Sequence, residues 1–115
     1  MPHSSYLSKP YLIFSTVGSQ KEAQKIAATL VTRRLAACVN IVPQVTSLFR
    51  WRGKVDQAKE LLLIIKSDHS HLKRIEKAIR EHHRYEVPEI IAWPISWGHK
   101  PYLRWLTESV IARTT

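Results

Sequence analysis

Leu61 to Ile65 is an unbroken apolar run, with Glu60 before it and Lys66 after it. Successive side chains of a strand point to opposite faces, so a strand holding this run has both faces of its sheet covered. A short chain must find that second cover, and another copy of itself is the economical source. Tyr11 to Val17 is also apolar on both parities and reads as a strand that Gly18 ends. Ser19 with Glu22 forms a capping box, and Ala23, Ile26, Ala27, Leu30 and Val31 follow at helical spacing to about Arg34.

From Cys38 to Trp51 the odd positions Val39, Ile41, Pro43, Val45, Phe49 and Trp51 predict a long strand with one dry face. Arg52 and Gly53 make a tight turn into a strand over Val55 to Lys66, closing a hairpin. Ser67, Asp68 or Ser70 is placed to cap the next helix, whose inner stripe is Leu72, Ile75, Ala78 and Ile79 and which ends near His82 or His83. Pro88 forces an extended approach to a strand over Glu89 to Ile95, and Pro101 opens a short last helix with Leu103, Leu106 and Val110 inward.

The order is β-α-β-β-α-β plus a C-terminal helix, the split βαβ or ferredoxin-like α+β sandwich, with the first and third strands central. Pro43 and Pro94 fall in the two edge strands, where a missing N–H is tolerated. Residues 1–10 read as a flexible N-terminal arm and 11–115 as a single domain. Two helices cover one sheet face. The other face and the aromatics Phe49, Trp51, Trp93, Trp97, Tyr102 and Trp105 are left for the extra helix or a partner.

At 115 residues and 44% hydrophobic the chain supports one core. No stretch approaches the roughly 18 apolar residues of a membrane span, and His3, Ser4, Ser5 and Lys9 replace the apolar segment of a signal peptide. A soluble, cytoplasmic chain is expected. The lone cysteine, Cys38, sits among apolar neighbours and reads as a small buried thiol. The net charge of +9 suits nucleic acid or other anions. The cations are spread along the chain with no nucleic-acid motif, so they read as solvated faces of an oligomer and nucleic acid is not the expected partner.

Several motifs in order carry a family resemblance. Leu35-Ala36-Ala37-Cys38-Val39-Asn40-Ile41, Trp51-Arg52-Gly53, Glu60 to Ser67, His83-Arg84-Tyr85-Glu86-Val87-Pro88-Glu89-Ile90 and Tyr102-Leu103-Arg104-Trp105-Leu106 resemble the CutA divalent-cation tolerance family. The resemblance implies a ferredoxin-like subunit in a tight homotrimer, similar in architecture to PII signalling proteins. It also implies a cytoplasmic role with divalent metals, copper above all. Phe49 stands where the family usually has Tyr, Arg84 where it has Pro and Ser67 where Thr is common. Bacterial relatives are credited with a copper site made from a first-strand cysteine and an adjacent histidine pair. Here the pair corresponds to His82 and His83 and the cysteine to Ser15, whose neutral hydroxyl is a poorer ligand for soft copper than a thiolate.

His82 and His83 are thus the candidate metal ligands for copper or another divalent cation, with Glu86 or Glu89 available to complete a site. Neighbouring helical residues point about 100° apart, so the pair converges only at a helix end or with help from another subunit. The alternative is that both close the last helical turn against its dipole. His69, His71, His99 and His3 lack ligand spacing and read as surface residues. Gly18, Gly53 and Gly98 are isolated, Cys38 has no activating neighbour, and Ser15, Thr16 and Ser19 are ordinary strand-end hydroxyls, so no enzyme is expected. The leading expectation is a trimeric metal-tolerance protein. The rivals are a PII-like sensor of small ligands at inter-subunit clefts and a sequence-tolerant nucleic-acid binder.

Overall fold

The computed structural model describes residues 8–111. Strand β1 (Pro10–Val17), helix α1 (Gln20–Thr32), strands β2 (Cys38–Trp51) and β3 (Lys54–Asp68), helix α2 (Leu72–His82), strand β4 (Ile91–Pro94) and helix α3 (Lys100–Ser109) follow in order. They build a mixed α+β fold around a four-stranded antiparallel sheet of order β2-β3-β1-β4. Pro43 and Pro94 lie in the edge strands β2 and β4, where a missing N–H is tolerated, and neither central strand has a proline beyond its first residue. Pro10, expected in the arm, is instead the first residue of β1 and pairs with Asp68. The rest of the expected arm, up to residue 7, lies outside the described residues.

The register explains the apolar run. Ile13, Ser15 and Val17 lie opposite Ile65, Leu63 and Leu61, and all six are buried beneath α1 and α2 with Ala23, Ile26, Leu30, Ile75 and Ile79. The alternate positions Leu62 and Ile64, with Phe14 beside them on β1, are only half-buried on the opposite face. Helix α3 packs on that face, with the Lys66 ammonium 5.7 Å from the centre of the Tyr102 ring and Leu106 and Val110 fully buried. Its C-terminal carbonyl at Ser109 accepts from the Arg34 guanidinium at 3.2 Å. The helix is too short to roof the whole face. Trp93 and Trp105 stay 40% and 47% exposed, and Trp97 84%.

The single dry face expected of β2 is not what forms. Val42 pairs with Leu62 but Val45 with Glu60, so β2 holds one extra residue at Pro43–Gln44, where Gln44 has φ 62°. A one-residue shift exchanges faces. Val39 and Ile41 therefore face the helices, whereas Val45, Phe49 and Trp51 share the opposite face with Glu60. Beyond the bulge the hairpin leaves the helices behind and turns through Arg52 (φ 52°) and Gly53 (φ 81°), two left-handed residues that make a two-residue reversal. The molecule measures 55 × 30 × 22 Å, with a radius of gyration of 15.3 Å. A compact domain of this length has about 13 Å.

Four local expectations are corrected. Helix α2 has no side-chain cap from Ser67, Asp68 or Ser70: β3 runs on to Asp68, a 3₁₀ turn over His69–His71 follows, and Ser67 donates to the Leu35 carbonyl. His71, expected at the surface, is buried because Asp68 accepts from its Nδ1 at 2.6 Å and bridges to Ser70. Cys38 is half-buried, because its register opposite Lys66 puts it on the less covered face. Strand β4 is four residues long, shorter than Glu89 to Ile95, since the preceding segment is tied elsewhere.

Leu63 sits at the centre of the core at 0% exposure. Replacing it by alanine is expected to remove about 2–5 kcal/mol of stability in chemical denaturation. Lys25→Ala, on the exposed side of α1, is expected to stay within about 0.5 kcal/mol.

Candidate functional site

The end of β1, the start of α1, the end of α2 and the base of the β2–β3 hairpin meet at one point. Ser19 caps α1 by accepting from the Glu22 N–H at 3.1 Å, the expected half of a capping box. The other half does not form. Glu22 lies four residues before Ile26 on the buried stripe of α1, and its carboxylate accepts from the Arg84 N–H at 2.7 Å. It also lies 3.5 Å from His83 Nδ1.

His83 is the C-cap of α2, with an extended backbone (φ −92°, ψ 139°) and a side chain at 0% exposure. The Tyr85 N–H donates to its Nδ1 at 3.1 Å, so Nδ1 is the unprotonated nitrogen. Its Nε2 therefore carries the proton and donates to the Thr16 carbonyl at 2.7 Å. Both ring nitrogens are engaged within the chain. His82, the last residue of α2, differs: its Nε2 is buried with no partner. Among the described residues the other buried side-chain polar atom without a partner is Ser15 Oγ. The two orphans are the chain neighbours of the bonded pair His83 and Thr16, one on each side.

Tyr85 completes the cluster. Its hydroxyl donates to Glu60 at 2.9 Å and its ring lies 4.7 Å from that of His83. Burial, then the hydrogen bond to Glu60 and the negative charges of Glu60 and Glu22, push the phenol up to about 12. A Cβ at Gly18 would lie 3.3 Å from the Tyr85 hydroxyl, a tight contact that a larger residue there relieves only by shifting Tyr85 by a few tenths of an ångström. Arg52 at the hairpin tip reaches Glu86 at 3.9 Å, between two exposed side chains. Between the hairpin and the 85–89 segment runs an open groove of about 950 Å³, in which Phe49 and Trp51 face Asp56, Glu60, Glu86 and Glu89.

The sequence-predicted ligands are thus adjacent in the chain but unequal in availability. His82 carries a donor nitrogen without a partner, although one shielded from solvent. His83 must break a 2.7 Å bond before it ligates anything. Glu86 and Glu89 line the groove rather than the histidine pair. Among the described residues no group of three or more His, Cys, Asp and Glu side chains is placed to hold an ion. Sequence reasoning missed Glu22 and Glu60 as organising residues. For Glu22 the signal was present: a carboxylate in phase with Ile26 and Leu30 on the apolar stripe needs an internal partner.

The geometry defines an α+β subunit of ferredoxin-like strand order, with an outstretched hairpin, a carboxylate-lined groove and a histidine pair at the end of its second helix. The chain belongs to the CutA1 divalent ion tolerance protein family, whose model matches residues 11–109. It is 44% identical over 100 residues to Protein CutA of Mus musculus, covering 84% of this chain and 56% of that protein. It is 45% identical over 98 residues to the divalent-cation tolerance protein CutA of Thermus thermophilus, covering 85% and 95%. The chain therefore spans little more than half of the mouse relative and nearly all of the bacterial one. The crystal structure of CutA from Xylella fastidiosa superposes with a TM-score of 0.87 at 38% identity, covering 90% of this chain and 100% of that one.

Because the fold favours the neutral phenol, the stability that Tyr85 contributes is complete below its ordinary value near pH 10 and is lost as pH rises to about 12. In a phenolate absorbance titration one tyrosine is expected to lag the others. Glu60→Gln is expected to bring that tyrosine back toward the ordinary range, and an unchanged profile would remove Glu60 as the cause.

Proposed function

We propose that this chain acts as a cytoplasmic homotrimer in tolerance to divalent metal ions, copper among them, and that it binds the ion beside His82 and His83. One observation carries the metal site: among the described residues the two buried side-chain polar atoms that lack partners, His82 Nε2 and Ser15 Oγ, belong to the residues that precede the bonded pair His83 and Thr16 in the chain. A buried polar atom without a partner costs about 1–3 kcal/mol, so such a pair marks a place where a further group is accommodated. An imidazole suits Cu²⁺ and Zn²⁺, and His82 fits the role. His83 fits it only in second rank, as the residue whose two hydrogen bonds hold the end of α2 in place. The hydroxyl of Ser15 adds little affinity for a soft ion. A full ligand set then needs groups from another subunit, which agrees with assembly. The half-covered β3 face and the exposed Trp51, Trp93 and Trp105 supply the drive for that assembly. The lone thiol of Cys38 accords with a reducing compartment. No catalytic step is assigned.

A second reading rests on the groove of about 950 Å³. A PII-like sensor would take its ligand there, between copies, and the four carboxylates select a cationic ligand over an anionic metabolite.

Light scattering at micromolar concentration is expected to give a trimer mass, and a monomer would remove the assembly. Calorimetry is expected to show Cu²⁺ affinity falling at least tenfold in His82→Ala, on the order of 1.4 kcal/mol. His83→Ala is expected to weaken binding less. Unchanged affinity in the double variant would reject the histidine site, and thermal shifts with cationic small molecules but not copper would favour the groove.

A further inference from the structure

The fold sorts charges that the chain order scatters. Three of the nine acidic residues, Glu22, Glu60 and Asp68, are buried and bonded inside the subunit. Three others, Asp56, Glu86 and Glu89, line the groove under the hairpin together with Glu60. The outer surface of the helix layer keeps more positive than negative charge, with Glu76, Glu81 and Glu86 lining the hollow beside Lys73, Lys77 and Arg80. On α1, Lys21, Lys25 and the C-cap Arg33 are exposed; on α2, Lys73, Arg74, Lys77 and Arg80 are. The exposed carboxylates of the two helices are Glu76 and Glu81, and the latter lies 4.0 Å from Arg33. Among the described residues Lys21, Lys25, Lys73, Lys77 and Arg80 make no ion pair with a carboxylate.

We infer that the outer face of α1 and α2 binds the phosphate backbone of double-stranded nucleic acid, without reading its sequence. Lys73, Lys77 and Arg80 fall at i, i+4 and i+7, one stripe along α2 spanning roughly 10 Å at 1.5 Å per residue. That matches the rise of about three base-pair steps along a duplex axis, at about 3.4 Å of axis per phosphate of each strand. Lys21 and Lys25 form a parallel i, i+4 pair on α1, which packs beside α2. Neither helix carries a phenylalanine, tyrosine or tryptophan, and the one exposed aromatic lining the hollow beside the stripe, Tyr85, has its hydroxyl bonded to Glu60 and its ring against His83, so the face offers bases little to stack on and favours a duplex over a single strand. Val31 is the one large apolar side chain exposed on the two helices, so the face also lacks the apolar anchors of a membrane-surface helix. The aromatic side chains that seek a partner lie on the opposite side of the sheet, so assembly through them leaves this layer outward.

The test is fluorescence anisotropy of the intact protein with a labelled DNA duplex of mixed sequence, titrated across salt concentration. Binding at low salt is expected, with log K falling against log salt at a slope of about −0.9 for each phosphate contacted. The triple variant Lys73→Gln, Lys77→Gln, Arg80→Gln is expected to weaken binding at least tenfold and to flatten that slope by about two to three. A charge-matched control, Arg50→Gln, Lys54→Gln, Lys59→Gln on the hairpin, is expected to keep most of the affinity. Circular dichroism and light scattering confirm that both variants fold and assemble like the parent. Equal loss in the control would show net charge alone at work and would overturn the assignment. So would absence of binding at low salt, or capture by phosphatidylserine vesicles under conditions where the duplex stays free. Copper calorimetry on the helix variant is expected to be unchanged, which keeps this test separate from that of the histidine site.

Discussion

A strand that is apolar on both faces has to be covered twice, and this chain does so completely only once. Leu61, Leu63 and Ile65 close against α1 and α2, but Leu62 and Ile64 meet only part of α3 and an open flank. Each large side chain taken out of water contributes on the order of 1.5–3 kcal/mol, so an isolated subunit with Trp51, Trp93, Trp97 and Trp105 exposed forgoes a stabilisation comparable to a small domain's net stability. The position of α3 follows from the same constraint. Its buried Leu106 and Val110 shelter the end of the face near Lys66, and Arg34 ties its terminus down.

Element order, the central pair of strands and the helix faces were legible because they depend on periodicity and on prolines. The face that β2 turns toward the core was not. Alternation along Val39, Ile41, Val45, Phe49 and Trp51 looks continuous, yet the one-residue bulge at Pro43–Gln44 sends its two halves to opposite faces. A period of two carries no mark of an extra residue whose neighbours keep alternating. The bulge has a functional consequence, because it brings Phe49 and Trp51 onto the side of Glu60 and makes them the wall of a groove.

The histidine pair was readable as a motif but not as a geometry. Adjacent residues at a helix end are separated by the cap itself: His82 keeps helical backbone and an unpartnered nitrogen, whereas His83 turns extended and is consumed by Thr16 and the Tyr85 N–H. The internal partners of Glu22, Glu60 and Asp68 depend on contacts 62, 25 and 3 residues apart along the chain. Of these only the phase of Glu22 within its helix left a trace in the sequence.

Those buried carboxylates link the shape of the site to the charge of the surface. Glu22 and Glu60 accept from the backbone of Arg84 and the side chain of Tyr85, and so pin the segment that would otherwise extend β4. Pinning it opens the groove and places Glu86 and Glu89 along it. The same use of acidic residues inside the subunit withdraws them from the outer layer, where, among the described residues, the exposed lysines and arginines other than Arg33 make no ion pair with a carboxylate. A chain of +9 thereby presents two unlike surfaces. One is a carboxylate-lined groove on the aromatic side of the sheet, suited to cations; the other is the cationic helix layer. They meet at Tyr85, Glu86 and Pro88, which line both the groove and the hollow beside Lys73, Lys77 and Arg80, so occupation of one bears on the other through that segment.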